Sequence, residues 1–202
     1  SYRSELQKVL AEKPDVIVTG SYLPDTTILL REWFQTGEKT AWIIPGWAAN
    51  PDLVKALGAE VCEGIISVDT VSAESGGAFK HFDAMYTKAM GRSALTNVYA
   101  PMAYDMAISL ALAMEAAGPG ASVAQINAKI REVANPGGEP VSTFAEGKAK
   151  LAARQKINYE GASSKLDFDQ YGDVSPDFGV FIIEKGQLVR RDIVAIPADY
   201  RP

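Results

Sequence analysis

Three short apolar runs in the first third of the chain, with helical stretches between them, limit what it can fold into. Asp15-Val16-Ile17-Val18-Thr19-Gly20 is a β-branched run closed by glycine, and it reads as a buried strand. Ala41-Trp42-Ile43-Ile44 is a second, stopped by Pro45-Gly46, and Gly64-Ile65-Ile66-Ser67-Val68 is a third. Leu6, Val9 and Leu10 form a helical stripe that Pro14 stops. Pro24 and Asp25 open a helix through Phe34, with Gly37 at its end, and Pro51 to Leu57 is a short helix. Strands that alternate with helices in this way imply a parallel sheet with crossover helices.

The middle of the chain breaks that pattern. Residues 73–153 carry helical periodicity and almost no strand signal. Phe79, Phe82, Tyr86 and Met90 recur at helical spacing. Residues 98–117 are rich in Ala, Met and Leu and end at Gly118-Pro119-Gly120. Ser122 can cap a third helix through Val133, and a fourth covers residues 141–153. Strands then return. Asn158-Tyr159-Glu160-Gly161 and Lys165-Leu166-Asp167-Phe168-Asp169 read as extended pieces, and a polar turn follows at Gln170-Tyr171-Gly172-Asp173. Residues 178–184 and 188–196 alternate about Lys185-Gly186, which predicts a hairpin. The 98–117 helix is apolar around much of its circumference and wants partners on several sides, yet the helical block has no sheet of its own.

Charge and composition exclude several classes. The 202 residues carry 20 Lys+Arg against 25 Asp+Glu, a net charge of −5, which argues against a basic nucleic-acid or membrane-binding surface. One cysteine, Cys62, excludes an internal disulfide framework and a multi-thiolate zinc site. Asp105 and Glu115 interrupt the longest apolar stretch, which is therefore a buried helix and no membrane span.

Most residues that could carry chemistry have a plainer use. His81 sits in a helix beside Phe79 and Phe82 with no second histidine, and reads as a surface or packed residue. Cys62 starts a strand and behaves as a small buried hydrophobe. Asp167, Asp169 and Asp173 lack the glycine and terminal glutamate of a calcium loop, so a turn of self-capping aspartates is expected. Gly118-Pro119-Gly120 is not followed by Gly-Lys-Ser/Thr and is no phosphate loop. No nucleophile with a base and no metal cluster is visible, so neither an enzyme nor a cofactor is expected.

Four stretches, in order, resemble the later half of a type I periplasmic solute-binding protein of the branched-chain amino acid (Leu/Ile/Val) ABC transporter family. Lys13-Pro14-Asp15-Val16-Ile17-Val18-Thr19-Gly20-Ser21-Tyr22 resembles a "pD-strand-GG-Y" segment. Glu63-Gly64-Ile65-Ile66 resembles an "EG" strand leading to a hinge. Tyr104-Asp105-Met106-Ala107 with Leu110-Ala111-Leu112-Ala113 resembles a "YDA…LA.A" helix. Residues 166–173, followed by Asp177-Phe178-Gly179-Val180-Phe181, resemble an "FD..GD" turn and final strand.

The resemblance implies an α/β fold of two lobes joined by three crossover strands, with a solute held in the cleft between them. Residues 1–71 would then be second-lobe α/β, with a parallel sheet and crossover helices. Residues 72–175 would be the helices and short strands of the first lobe, including a strand at 166–169, and residues 176–202 a second-lobe return hairpin. The first lobe's sheet would belong to an earlier half that precedes Ser1, together with a signal peptide for export to the periplasm. The implied partners are a small-molecule solute and an ABC transporter permease. The same fold also serves as the ligand-binding sensory domain of receptors and regulators, and that alternative stays open.

The resemblance also points to site residues. Tyr22 follows a strand at its carboxyl end, where open sheets place ligands, and matches a tyrosine set against the bound amino acid. Amino acid binders carry a glutamate after the next strand for the ligand ammonium, and Gly46 stands there instead. Trp47 can stack on an aromatic ligand or plug the lobe surface. Tyr99, opening the long helix, has a ligand role or a core role. Asp69, at the hinge, can bond backbone amides or a ligand amine.

Overall fold

A computed structural model describes residues 1–196, so the last part of the expected return segment, residues 197–202, lies outside the described residues. The chain forms two compact units: Ser1–Thr70 with Phe178–Val194, and Val71–Asp177 with the residues from Ala195 on.

The first unit is built on one five-stranded sheet. Its elements in chain order are α1 (Arg3–Ala11), β1 (Val16–Val18), α2 (Leu23–Phe34), β2 (Ala41–Pro45), α3 (Pro51–Leu57), α4 (Ala59–Cys62) and β3 (Ile66–Thr70). Two strands that follow the second unit, β6 (Phe178–Glu184) and β7 (Gln187–Val194), complete the sheet in the order β1-β2-β3-β6-β7. The first three strands are parallel, and β6 and β7 add antiparallel. Between β6 and β7, Lys185 (φ 50°) and Gly186 (φ 77°) make the tight turn, both left-handed as a right-twisting two-residue hairpin requires. Trp42 and Ile44 alternate inward from β2 and meet Leu6, Leu30, Leu53, Cys62 and Ile183 in one core.

Two expectations change here. The β1 run is not buried on both faces: Ile17 packs on the core, but Val18 is 69% exposed. The cause is position, since β1 is the edge strand of the sheet. Cys62 does not start a strand either. It ends the short helix α4 and is fully buried, and burial pushes its thiol pKa up, as for a small core hydrophobe.

The second unit is mainly helical. It contains α5 (Gly77–Met90), a 3₁₀ turn (Ala94–Thr96), α6 (Tyr99–Ala117), α7 (Val123–Ala134), β4 (Glu139–Val141), α8 (Phe144–Ala152) and β5 (Ile157–Tyr159). The β4 and β5 strands pair in parallel as a two-stranded sheet. The helix start at Ser122 is a capping box with Gln125. The fourth helix begins at Phe144, three residues later than expected, and Val141 instead ends the strand β4. Leu112, Val133, Val141, Ile157 and Tyr159 form the core. Residues 166–169, expected as a strand, are not one. Leu166 has φ 59°, and Asn135 holds Phe168 by both amide atoms (Phe168 N to Asn135 Oδ1 3.0 Å, Asn135 Nδ2 to Phe168 O 2.7 Å). Those backbone groups bond a side chain in place of a ladder. One face of α6 stays uncovered: Met106, Leu110 and Met114, four residues apart, are all exposed, Met106 by 73%.

Candidate functional site

The carboxyl edge of the first unit's sheet gathers three of the four expected site residues. At the end of β1 the chain turns sharply, and hydroxyls hold that turn. Thr19 Oγ1 donates to Ser21 Oγ at 2.8 Å and accepts from the Ser21 amide at 3.1 Å. Ser21 Oγ in turn lies 2.7 Å from Oγ1 of the fully buried Thr26 on α2. The next residue, Tyr22, is extended (φ −82°, ψ 166°) at the start of α2, and its side chain is 70% exposed. The turn fixes where the Tyr22 side chain leaves the backbone.

At the end of β2, the Gly46 amide donates to Val68 O at 3.1 Å and carries the ladder one residue past the strand. Ala48 and Ala49 amides return to Pro45 O, and Asn50 caps α3 through the amides of Asp52 and Leu53. This knot places the exposed Trp47 ring 6.1 Å from the Tyr22 ring, tilted by 38°. The two rings make one apolar wall with polar tips, a surface suited to a flat or branched apolar body.

At the end of β3, Asp69 is half-buried and pairs with Gly179 across the sheet. Its Oδ1 accepts from the Thr70 amide at 2.8 Å. A Cβ built on Gly46 would stand 1.9 Å from Asp69 Oδ2, so only glycine tolerates this carboxylate beside β2. Burial raises the Asp69 pKa above the ordinary value, and the Thr70 amide pulls it back in part.

Tyr99 does not join this group: it belongs to the second unit, where it opens α6 and its amide bonds Asn97 Oδ1 at 3.2 Å. The sequence did not disclose the role of Asp105. This aspartate on α6 is 2% exposed and accepts four hydrogen bonds, from Tyr159 Oη and the Ala162 amide at 2.8 Å and from the Ser163 amide and hydroxyl at 2.6 Å. It ties the loop after β5 to the long helix, and burial beside it drives the Tyr159 pKa far upward. A charged residue amid the apolar positions of the helix was the available signal. His81 is exposed. Asp169 caps its own turn, with Oδ1 accepting from the amides of Tyr171, Gly172 and Asp173; the Asp173 amide contributes most to lowering its pKa. Among the described residues no group of three His, Cys, Asp or Glu could share a metal ion. No helix among them is long and apolar enough to cross a membrane. A cavity of about 480 Å³ lies at the opposite, amino edge of the sheet between Trp33, Trp42 and Glu63, away from the ring pair and carboxylate.

The rings and the carboxylate stand at the carboxyl edge of an open sheet, where α/β proteins place their ligands. Residues 1–160 match the profile of a family described as periplasmic binding protein, and the chain belongs to that family, one of solute-binding proteins and not of enzymes. No curated relative matches this chain. Solved structures with the type I periplasmic binding protein fold match it throughout. A leucine-binding protein LivK from Thermotoga maritima aligns with a TM-score of 0.72 at 21% identity, over 96% of this chain and 49% of that one. The substrate-binding protein LivJ of Streptococcus pneumoniae in complex with isoleucine aligns at 0.64 and 16%, over 97% and 49%. A solute-binding protein of an ABC transporter from R. palustris in complex with benzoate aligns at 0.59 and 15%, over 96% and 47%. The chain thus spans about half the length of these structures.

Proposed function

We propose that this chain is part of an extracytoplasmic solute-binding protein of an ABC importer, which holds a small amino-acid-like or aromatic carboxylate solute and presents it to a membrane permease. One observation carries the reading: the Tyr22–Trp47 ring pair and the half-buried Asp69 stand at the carboxyl ends of three parallel strands. The family supplies the transport context and the extracytoplasmic location. The matched structures with isoleucine and benzoate bound support both solute classes. From the second unit we assign Tyr99 as a further ligand contact, supported by its exposed ring at the first turn of α6.

We also propose that the protein continues beyond this segment with chain that covers α6. The uncovered Met106, Leu110 and Met114, and the half-length match to the solved structures, support this. The test of the function is titration calorimetry of the whole protein against branched-chain and aromatic amino acids and against aromatic acids. Saturable one-site binding of at least one solute is expected. No binding across the panel refutes the assignment.

A further inference from the structure

The cavity at the amino edge of the first unit's sheet has walls that the solute reading does not use. It measures about 480 Å³ and lies where α2 ends and β2 begins. Trp42 of β2 lines it and is 2% exposed, so this ring forms the floor. Trp33 stands against Trp42 with centroids 5.7 Å apart and planes at 66°. Phe34 is set at 63° to Trp33 and is 41% exposed. Rings at such angles line a cavity on more than one side, and ring faces attract cations.

The rim is acidic. Glu38, Glu60 and Glu63 line the same cavity, with Lys39 the single cation beside them among the described residues. Glu63 accepts from the Lys185 amide at 2.7 Å, but Glu38, Glu60 and Lys39 form no ion pair among the described residues. The end of α2 adds the negative pole of a 12-residue helix. Such a rim repels nucleic acid and anionic lipid, and it suits a cation flat enough to lie on a ring while donating to carboxylates. A guanidinium does both, and its methylene stem packs on aromatic surface. The four charged rim residues are all exposed, so the cavity is open along one side. A site for a free solute encloses most of its ligand, whereas a side chain carried by a second protein needs no enclosure.

We infer that this edge is a docking surface for a partner protein, whose arginine side chain enters the cavity against Phe34 and Trp33 and pairs with Glu38 and Glu60. The surface lies at the opposite edge of the sheet from Tyr22 and Trp47, so the first unit can hold a solute and the partner at once.

The test uses the whole protein with isotope-labelled indole nitrogens, titrated with acetyl-Gly-Arg-Gly-amide and followed by nuclear magnetic resonance. The Trp33 and Trp42 indole N–H groups have no acceptor in the fold. Their signals should shift together and saturate with a dissociation constant of about 1–10 mM, the scale of one side chain. Trp47, on the other edge, is the control. The matching citrulline peptide keeps the shape and loses the charge, and should bind about five-fold more weakly or worse. Glu38→Gln with Glu60→Gln should weaken the arginine peptide by about five-fold, and Lys39→Glu should tighten it by about three-fold. All three positions are exposed, so the fold is not at stake in these variants. Equal binding of the two peptides, an unchanged affinity in the double variant, a shift confined to Trp47, or no shift of Trp33 and Trp42 by about 50 mM peptide overturns the proposal. n-Propylguanidinium, the side chain cut from its backbone, should bind no tighter than the peptide; binding about ten-fold tighter would make this a small-solute site and overturn the docking surface.

Discussion

Asp105 offers the most direct test of how the second unit holds together. Its carboxylate is 2% exposed and receives four donors, two on each oxygen. Asp105→Ala removes every acceptor at once. The Tyr159 hydroxyl and the Ala162 and Ser163 amides would then be buried without partners, and each such group costs about 1–3 kcal/mol. Their losses overlap, because the three groups share one site, so about 3–5 kcal/mol is the expected total. That is a large fraction of the roughly 5–15 kcal/mol that holds a domain folded. Asp105→Asn keeps the volume. Turned so that its amide faces the Ser163 hydroxyl, which can accept, it strands only the Ser163 amide and should cost about 1–3 kcal/mol. The assay can separate the units by probe. All three tryptophans, Trp33, Trp42 and Trp47, lie in the first unit, whereas most of the long helices lie in the second. Under urea, the far-ultraviolet circular dichroism midpoint of Asp105→Ala should fall by more than about 1 M. Asp105→Asn should fall between it and the parent. An unchanged dichroism midpoint for Asp105→Ala would refute the view that this carboxylate organises the unit.

Three further outcomes follow from the geometry. Replacing Trp47 by alanine should weaken solute binding about three- to ten-fold, the scale of one aromatic contact, and Tyr22→Ala should do the same; equal affinity in both variants removes the ring pair from the site. Burial raises the Asp69 pKa above the ordinary aspartate value, while the neighbouring Gly46 and the strand partner Gly179 carry no titratable side chain. The same raised pKa means that the folded solute-free protein holds this proton more tightly than the unfolded chain, so this residue's contribution to stability rises as pH falls through that window, and urea midpoints across pH for parent and Asp69→Asn would expose the opposite sign. Finally, the 202-residue segment produced alone should self-associate through the α6 stripe, and Met106→Lys with Leu110→Lys should reduce that association in sedimentation; a strictly monomeric parent segment would count against an uncovered face.

The parts of the fold that were legible in the sequence are those set by short-range rules. β2 reads as a strand because Trp42 and Ile44 alternate into one core, and the Lys185-Gly186 turn reads as a hairpin because two left-handed residues suit that loop. What failed depended on distant partners. Val18 is exposed because β1 has a neighbour on one side only, which the run Val16-Ile17-Val18 cannot reveal. β4 hides behind Pro140 and is a strand only because β5 pairs with it. Residues 166–169 have strand composition, yet Asn135, far back in sequence, takes both backbone bonds of Phe168. The site divides in the same way. Strand ends placed Tyr22, Trp47 and Asp69 as candidates, but the contact of Gly46 with Asp69 exists only once β2 and β3 lie side by side.

The first unit is interrupted: its chain leaves after Thr70 and returns at Phe178 to pair β6 with β3. Closing a loop of about a hundred unstructured residues costs roughly 2–3 kcal/mol more than closing one of a few residues. The second unit cancels much of that cost once it is folded, because its two ends are tied together, Val71 N donating to Asp177 O at 3.2 Å. In topological terms, residues 71–177 are an insertion at the tip of a β-hairpin. During synthesis the first sheet cannot be completed until the insertion has emerged, and an insertion that folds early delivers β6 to the edge of β3 already in reach. A chain in which a short turn replaces residues 71–177 would keep the five-strand order, the ring pair and the Asp69 carboxylate within a separable module.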